Sequence, residues 1–382
     1  MNPLGIHLTL MIGPDPVAVF ASPLVMEALA EVEVTHQDEG RSGFRLTFTV
    51  GRSGPFDLVD FGLVANPALG LNSRVILLAS FNAVPRVLID GLVIRRDLIP
   101  GNRPGEGRLV LSGQDLSVAL ERCAKSAEHP AMDETAIVSF LALSYAQYGM
   151  MPLVLPPSVI DPVVPVDRTP TQATDDWRFL TDLAERHGYV CYIEAGPAPF
   201  VNTLYFGPRL RPDIQQPAIS VNVGPESNVT DLSFANDALA PERIEAQVQD
   251  RLTGQVVPVM TPVSTRPPLG LVPDWLRLGS TVRCRAMNTS GLSIPQAFGR
   301  AQGHFDRSVD DSLTATGTLD PLRYNGFLRA HAKVDLRGAG ITFDGTWLVR
   351  RVRHLIAGGR YTQDFTLSRH DSGPLAPLVR AA

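Results

Sequence analysis

Four carboxylates stand close together in a stretch of this chain that has the pattern of a helix. They are Asp175, Asp176, Asp182 and Glu185. A glycosidase holds two carboxylates across the bond that it hydrolyses, so this group is a candidate for glycan hydrolysis. Adjacent helical positions point about 100° apart, however, and acids in a first turn are ordinary partners of the helix dipole. We therefore expect Asp175 and Asp176 to have a structural role.

The other residue types that carry catalysis or bind metals form no known pattern. The eight histidines are scattered, without an HExxH motif or a pair spaced by four residues, so metal ligation has no support. His331 and His354 lie in β-rich sequence and are expected in a core or an interface. GxSxG, P-loop and GxGxxG motifs are absent. We predict no catalytic, cofactor-binding or metal-binding residues and no cofactor, and we expect that the protein is not an enzyme.

The cysteines and the first residues indicate where the chain folds. Its cysteines are odd in number and have no CxxC spacing; they are Cys123, Cys191 and Cys284. We expect reduced thiols and a cytoplasmic folding compartment. Residues 1–20 lack Lys and Arg and contain Pro14 and Pro16, so we expect neither a signal peptide nor a membrane span. Without a secretory signal, the glycosylation patterns at Asn228 and Asn288 are interpreted as chance.

Length and composition predict a globular chain of several modules. A chain of 382 residues is longer than a single hydrophobic core normally supports, so two to four modules are expected. Hydrophobic residues make up 44% of the chain and charged residues 19%, which is typical of a globular protein. The formal charge is −5. A protein that binds the phosphate backbone of nucleic acid needs a basic surface, and a net negative charge does not favour one. Direct sequence-specific binding of nucleic acid is therefore disfavoured.

The first hundred or so residues have the pattern of short antiparallel strands. Apolar residues alternate with polar ones at Phe44, Leu46, Phe48 and Val50. The same period of two at Val32 and Val34 predicts a hairpin whose turn lies within 36–43. Further strands are predicted at 75–79, 87–96 and 108–112, each bounded by Pro, Gly or Asn, which is typical of a sandwich or barrel.

Helices follow, and strands then resume. We predict helices over 115–125, 133–148 with Gly149 as terminator, and from Asp175 to Gly188, by their caps and apolar spacing. Strands over 189–194 and 203–206 complete an α+β module. The remaining predictions are a linker over 209–228, a strand around 244–248, a proline-rich loop over 258–273, a helix over 293–307, and strands from 312 to 369 that end in a hairpin turning at 357–359.

Two distant segments share an order of features. The first contains 74–77, Asp90-Gly91, Arg95-Arg96 and Gly107-Arg108, and the second contains 333–336, Asp344-Gly345, Arg350-Arg351 and Gly359-Arg360. This order predicts a repeated unit of a strand, a tight Asp-Gly turn, a long strand and a closing strand. The chain would then contain two related barrels.

Motifs typical of one known family are spread over nearly the whole chain. They are Gly43–Phe48, Asp90-Gly91, Leu111–Leu116, Asp176–Leu180, Ala184–Gly188, Asp344–Val349, His354 and Tyr361–Arg369. The more specific motifs are Trp177-Arg178-Phe179-Leu180 and the C-terminal pattern of Trp, His, Tyr, Phe, Leu and Arg. In these residues the sequence resembles the baseplate hub family of contractile tails and injection systems. That family includes the late-control D proteins of phages and the hub portion of type VI secretion spike proteins.

The resemblance implies an α+β, β-rich fold with two related antiparallel β-barrel domains and inserted α+β and helical segments. The expected units are a first hub barrel at 1–114, an α+β module at 115–227, a second, split hub barrel at 228–257 and 312–371, an inserted loop and helix segment at 258–311, and a C-terminal tail at 372–382. Phe44, Phe48 and Trp347 are expected to face the barrel cores. The tail is expected to be frayed or to await a partner.

The resemblance further implies a homotrimer whose six barrels adapt a hexameric tail tube to a trimeric spike. The expected partners are the chain itself, an inner tube or tube-initiator protein, a separate central spike and other baseplate components. Cytoplasmic assembly would precede incorporation into a phage tail or an injection particle. Two alternatives stay open, namely a tail-associated cell-wall hydrolase and a glycan-binding β-sandwich. Neutralising Asp175 and Asp176 is expected to leave injection intact.

Overall fold

The computed structural model describes residues 7–51, 62–81, 84–101, 106–157, 169–209, 215–250, 253–261 and 263–375. Strands dominate this part of the chain, and 13 of them form one sheet. This confirms the β-rich α+β class. Two halves of that sheet, an α+β module and an insert each pack a hydrophobic core of their own.

The first half of the sheet contains seven antiparallel strands. They are β1 (His7–Pro14), β2 (Val19–Phe20), β3 (Leu29–Gln37), β4 (Gly43–Val50), β5 (Ser73–Phe81), β6 (Val84–Ile99) and β7 (Gly107–Asp115). Their order is β3-β4-β7-β6-β5-β1-β2, and helix α1 (Pro23–Ala28) packs on β3 and β4. The predicted hairpin is confirmed, because β3 pairs with β4 and Val34 lies opposite Phe44. Phe44 and Phe48 are buried, as expected from their alternation.

Asp90-Gly91 is not a turn, contrary to the sequence prediction. Both residues lie inside β6, with Gly91 opposite Val75 of β5 and Asp115 of β7. Glycine is required there because a Cβ at position 91 would lie 2.1 Å from the Gln114 carbonyl oxygen. A glycine within a strand often marks such a close backbone approach. Among the described residues, no strand pair joins β3 to β2, the two outer strands of this half.

The α+β module follows β7. Its elements are α2 (Ser117–Glu121), β8 (Ala127–Glu128), α3 (Glu134–Leu143), β9 (Met150–Val154), β10 (Thr171–Gln172), α4 (Asp176–Arg186), β11 (Val190–Ala195) and β12 (Asn202–Gly207). All three predicted helices form, although α2 and α3 are shorter than expected. After α3 the chain passes through a 3-10 turn, and Gly149 then ends the region at φ +71.

The insert folds as a small sheet with one long helix. It contains β15 (Glu242–Gln249), β16 (Val256–Met260), β17 (Gly270–Pro273), α5 (Asp274–Leu278), β18 (Arg283–Ala286) and α6 (Ile294–Val309), preceded in the chain by β13 (Gln215–Ser220) and β14 (Val229–Asn236). The prediction that residues 228–257 belong to the second barrel is wrong for β15, because β15 pairs with β16 and β18 of the insert. The predicted helix is confirmed as α6, which starts with a capping box formed by Ser293 and Gln296.

The second half of the sheet is completed near the C-terminus. Its later elements are β19 (Leu313–Leu319), α7 (Pro321–Tyr324), β20 (Lys333–Arg337), β21 (Gly345–Ala357) and β22 (Arg360–Arg369). The strands are ordered β14-β19-β22-β21-β20-β13. The linker predicted at 209–228 is therefore partly wrong, since β13 lies within it and pairs in parallel with β20. The tail prediction is wrong at its start, because β23 (Asp371–Pro374) pairs with β17; residues 376–382 lie outside the described part.

Candidate functional site

The two halves of the sheet repeat one strand order. In the first half the order is β3-β4-β7-β6-β5, and in the second it is β14-β19-β22-β21-β20, with every one of these neighbours antiparallel. The repeated segments 74–77 and 333–336 fall on the matching strands β5 and β20. Val75 faces Gly91, and Val334 faces Trp347 at the matching place. The repeat is thus present in the strand pairing as well as in the sequence.

Register shifts occur at matching positions in both halves. On β6 the shift lies between Val93 and Arg95, and on β21 it lies between Val349 and Arg351. A β-bulge inserts one extra residue and bends its strand, so a shared position is a specific feature of a fold. The extra residues are Ile94 and Arg350, which aligns Arg95 with Arg351. The sequence alignment of Arg95-Arg96 with Arg350-Arg351 was therefore displaced by one residue.

A second pair of shifts supports the same alignment. One lies between Leu29 and Glu31 of β3, and the other between Val229 and Asp231 of β14. Leu29 lies opposite Phe48 of β4, and Val229 lies opposite Leu319 of β19. The two shifts therefore coincide when β3 is superimposed on β14. Two coincident bulges in halves with one strand order identify an internal duplication.

Strands β21 and β3 join the two halves. The first part of β21 pairs with β20, and beyond the bulge the strand pairs with β3, from Arg351 opposite Gln37 to Ala357 opposite Glu31. We call this pairing the joint. His354 and Val34 face each other within it and are both buried. The bulge at Arg350 is the point at which β21 changes partner.

A balanced cluster of charges surrounds the bulge at Arg350. Its members are the arginines 209, 266, 307 and 350 and the carboxylates Asp38, Glu39, Asp310 and Asp311. Arg209 is central, with its Nε 2.9 Å from Asp38 and its Nη1 3.3 Å from Asp310. Burial alone would lower the pKa of Arg209, but these carboxylates outweigh it and raise that pKa. The cluster ties the first half, the α+β module, the insert and the second half together.

Three histidines line a cavity of about 490 Å³ beside the joint. They are His36, His331 and His354. The His36 and His354 rings meet edge to face at 5.5 Å, and His354 Nδ1 lies 2.7 Å from the Tyr361 hydroxyl. Burial lowers the pKa of His36 to about 4 and that of His354 well below its usual 6.5. The structure thus places His331 and His354, which the sequence predicts in a core or an interface, around one cavity. It also places His36 there, which sequence reasoning missed.

We expect the free energy of unfolding to fall as the pH is lowered from 6.5 towards 4. Within this window His36 and His354 stay neutral in the folded chain and take up protons in the unfolded chain, so acidification favours unfolding. His331 and Arg329 also disfavour the charged form of His36, whereas Glu194 favours it. Urea titrations at pH 7.0 and pH 5.0 test this. His36→Phe should reduce the pH dependence and exposed His7→Phe should not; equal behaviour of both variants would contradict it.

The four candidate carboxylates do not form a catalytic pair. Asp175 caps α4 by accepting a hydrogen bond of 2.8 Å from the Arg178 amide. Asp176 is fully buried and accepts hydrogen bonds from Lys125 at 2.5 Å, Tyr145 at 2.6 Å and Gln172 at 2.7 Å. Burial alone would raise the pKa of Asp176, but these three donors outweigh it and lower that pKa. The remaining two, Asp182 and Glu185, lie exposed on α4.

We expect Asp176→Asn to destabilise the chain by about 1–3 kcal/mol. The amide removes the charge opposite Lys125 and turns an NH2 donor towards at least one of the three donors in this buried site. Asp182→Asn, on the same helix but exposed, is the matched control and should change stability little. The urea midpoints of both variants measure this. A specific loss of glycan hydrolysis in an Asp176→Asn chain that stays folded would instead support the hydrolase alternative.

The other sequence candidates also have structural settings. Cys191 is buried, and Cys123 and Cys284 are exposed without forming a disulfide. Asn228 is buried and its amide nitrogen donates to the Ala218 carbonyl at 3.1 Å, so it is no glycan acceptor in this fold. Within the described ranges, no group of three or more His, Cys, Asp or Glu side chains is arranged to hold a metal ion. Over the same ranges, no helix combines the length and apolarity that a bilayer span requires.

The fold matches solved structures of phage tail proteins. A 43 kDa tail protein of prophage MuSo2 from Shewanella oneidensis is 13% identical, with a TM-score of 0.64 and coverage of 96% of this chain and 99% of that one. A tail protein from Neisseria meningitidis MC58 is also 13% identical, with a TM-score of 0.63 and coverage of 96% and 97%.

A third structure extends the similarity beyond phages. It is an Escherichia coli component of the type VI secretion system, described as structurally similar to T4 bacteriophage tail proteins. It has 13% identity, a TM-score of 0.56 and coverage of 92% of this chain and 77% of that one. No family model and no curated protein sequence matches the chain. At this level of identity the similarity concerns the fold, and it confirms the resemblance predicted from sequence at that level.

Proposed function

We propose that this chain is a structural, non-catalytic baseplate hub of a phage-tail-like contractile injection system. Its fold is that of phage tail proteins and of a type VI secretion component. The site geometry supports a non-catalytic role, because Asp175 and Asp176 serve α4 and its packing. Function in such a protein lies in the surfaces that join subunits.

The internal duplication is the observation that carries this proposal. A hub between a hexameric tube and a trimeric spike must present six alike units on one side and three on the other. One chain with two alike halves meets this requirement when three chains form a ring, since two halves in each of three chains give six. The matching strand orders and bulges supply the two alike halves. The mismatch between sixfold and threefold symmetry is thereby resolved within one polypeptide.

The partners follow from this role. They are two further copies of the chain, an inner tube or tube-initiator protein, a central spike and other baseplate components. The hub assembles in the cytoplasm and then forms part of a tail or injection particle.

Native mass spectrometry of the purified chain tests the proposed trimer. We expect a species with the mass of three chains of 41.4 kDa each. A chain that stays monomeric at micromolar concentration, even with its tube and spike proteins present, would contradict the hub function.

A further inference from the structure

Among the strand edges that have no neighbour in the described part of the chain, two belong to the duplicated strands. β14 pairs with β19 on one side only, and β6 beyond Ile94 pairs with β7 only. The open part of β6 carries three apolar side chains that are 40–52% exposed; they are Ile94, Leu98 and Ile99. An uncovered apolar strand edge is a template for pairing with another chain.

The joint inside the chain indicates which strand each of these open edges would pair with. There, β21 beyond its bulge pairs with β3. The duplication makes β6 the counterpart of β21, and β14 the counterpart of β3. Alignment on the bulges places Arg95–Ile99 on Arg351–Leu355 and Ser233–Asp237 on Glu33–Gln37. The chain thus contains both partners of a second joint. Among the described strands, β14 ends the sheet and the part of β6 beyond its pairing with β5 is open on that side.

We propose that β6 of one copy pairs antiparallel with β14 of the next copy, in the register of the joint. Arg95 then lies opposite Asp237, Asp97 opposite Ala235, and Leu98 opposite Phe234. The contact is head to tail, so repeating it generates a ring when the rotation between copies closes. Its closure with three copies rests on the proposed function, whereas the register rests on the duplication alone.

The side chains brought together by this register are complementary. In the joint, His354 and Val34 point inward and are buried; their counterparts Leu98 and Phe234 are both apolar. On the other face, Arg95 meets Asp237, a pair of opposite charges directly across two strands, which stabilises a sheet. In the isolated chain, Arg95 forms a largely exposed ion pair of 2.8 Å with Asp97, two residues along the same strand.

The residues at the bulges provide a second match. In the joint, the Asp38 amide donates to the Arg350 carbonyl at 3.1 Å, and the Arg350 guanidinium pairs with Asp38 and Glu39. The counterpart of Arg350 is Ile94, and continuing the alignment makes Leu239 the counterpart of Glu39. Ile94 is 45% exposed and Leu239 59% exposed in the isolated chain. The charged contact of the joint is thus replaced by two apolar side chains that would cover each other.

Disulfide trapping tests the register. The hydrogen bond from Asp38 to Arg350 makes Arg351 and Gln37 a non-hydrogen-bonded pair, and pairs alternate along the ladder, so Asp97 and Ala235 form another such pair. Their Cα atoms would lie about 4.5 Å apart, within the range that a disulfide spans. The variant is Asp97→Cys with Ala235→Cys in a chain that also carries Cys123→Ser and Cys284→Ser. The control pairs Asp97→Cys with Asp231→Cys, displaced by about 13 Å along β14.

Under oxidising conditions without reductant, we expect the Asp97→Cys, Ala235→Cys chain to migrate as covalent dimers and trimers, and the control to migrate as single chains. Equal linking of both variants would overturn the register. Single-chain bands for both variants would overturn the β6–β14 contact if native mass spectrometry of the same samples gives trimers, and the hub function would then stand. Monomers alone in the native spectrum of the unsubstituted chain would overturn the hub function itself.

Discussion

Replacing Trp347 with aspartate is expected to unfold the second half of the sheet and to abolish assembly. The Trp347 side chain is 0% exposed. Its indole nitrogen donates to the Phe343 carbonyl at 2.9 Å, and the Arg369 guanidinium lies 4.8 Å from the ring centroid. The change removes a large buried ring and introduces a carboxylate without a matched partner. Loss of the ring alone costs about 3–5 kcal/mol, which is comparable with the whole stability of many domains.

Circular dichroism, solubility and native mass spectrometry measure this outcome. Ile341→Asp is the matched control, because Ile341 lies a few residues away and is 83% exposed; it should fold and assemble normally. Phe48→Asp should cause the corresponding loss in the first half. A soluble Trp347→Asp chain that still forms trimers would refute the assignment of Trp347 to a core that assembly requires.

Replacing Arg209 with methionine is expected to destabilise the chain by about 3 kcal/mol at pH 7. The side chain of Arg209 is 2% exposed, and its removal leaves Asp38 and Asp310 buried with fewer partners. Breaking a buried ion pair by removing one member costs about 3–5 kcal/mol. We expect the lower end of that range because Arg350 still contacts Asp38 and Arg266 still contacts Asp310.

The loss should shrink at low pH, where the released carboxylates become protonated, so urea titrations at pH 7 and pH 4 measure both its size and its origin. Arg323→Met serves as the control, since Arg323 pairs with Asp320 at 3.6 Å on the surface, and such pairs contribute little. An unchanged urea midpoint for Arg209→Met would show that the charge cluster does not hold the halves together.

Local structure was predictable where one side of an element is buried. The alternation around Phe44 and Phe48 and the caps of α3 and α4 depend on residues close in sequence, and the structure contains them. The sequence predicted a turn at Gly91 because Asp-Gly is a common turn signal. In the structure this glycine instead allows the backbone of β7 to approach closely. Alternation of apolar and polar residues predicts a strand but does not indicate which strand it pairs with. The sheet predicted for β15 was therefore wrong.

The site itself was less predictable than the fold. Arg209 contacts Asp38 and Asp310, which are distant from it in sequence, and no local pattern marks such a cluster. The sequence did not predict β13 because Pro217 lies inside it. Among the described strands β13 pairs with β20 alone, which makes it an edge strand, where proline is tolerated. The duplication was visible in 74–77 and 333–336, but the bulges that fix its alignment appear only in the paired strands.

Electron cryomicroscopy of the purified assembly tests the central proposal most directly, because it counts the alike units around the ring axis. Two-dimensional averages along that axis should contain six similar lobes at low resolution, resolving into three pairs as detail increases. Each lobe should correspond to one half of the sheet, with the joint and the β6–β14 contact alternating between lobes. A ring with any other number of lobes, or single chains without a ring, would contradict the account.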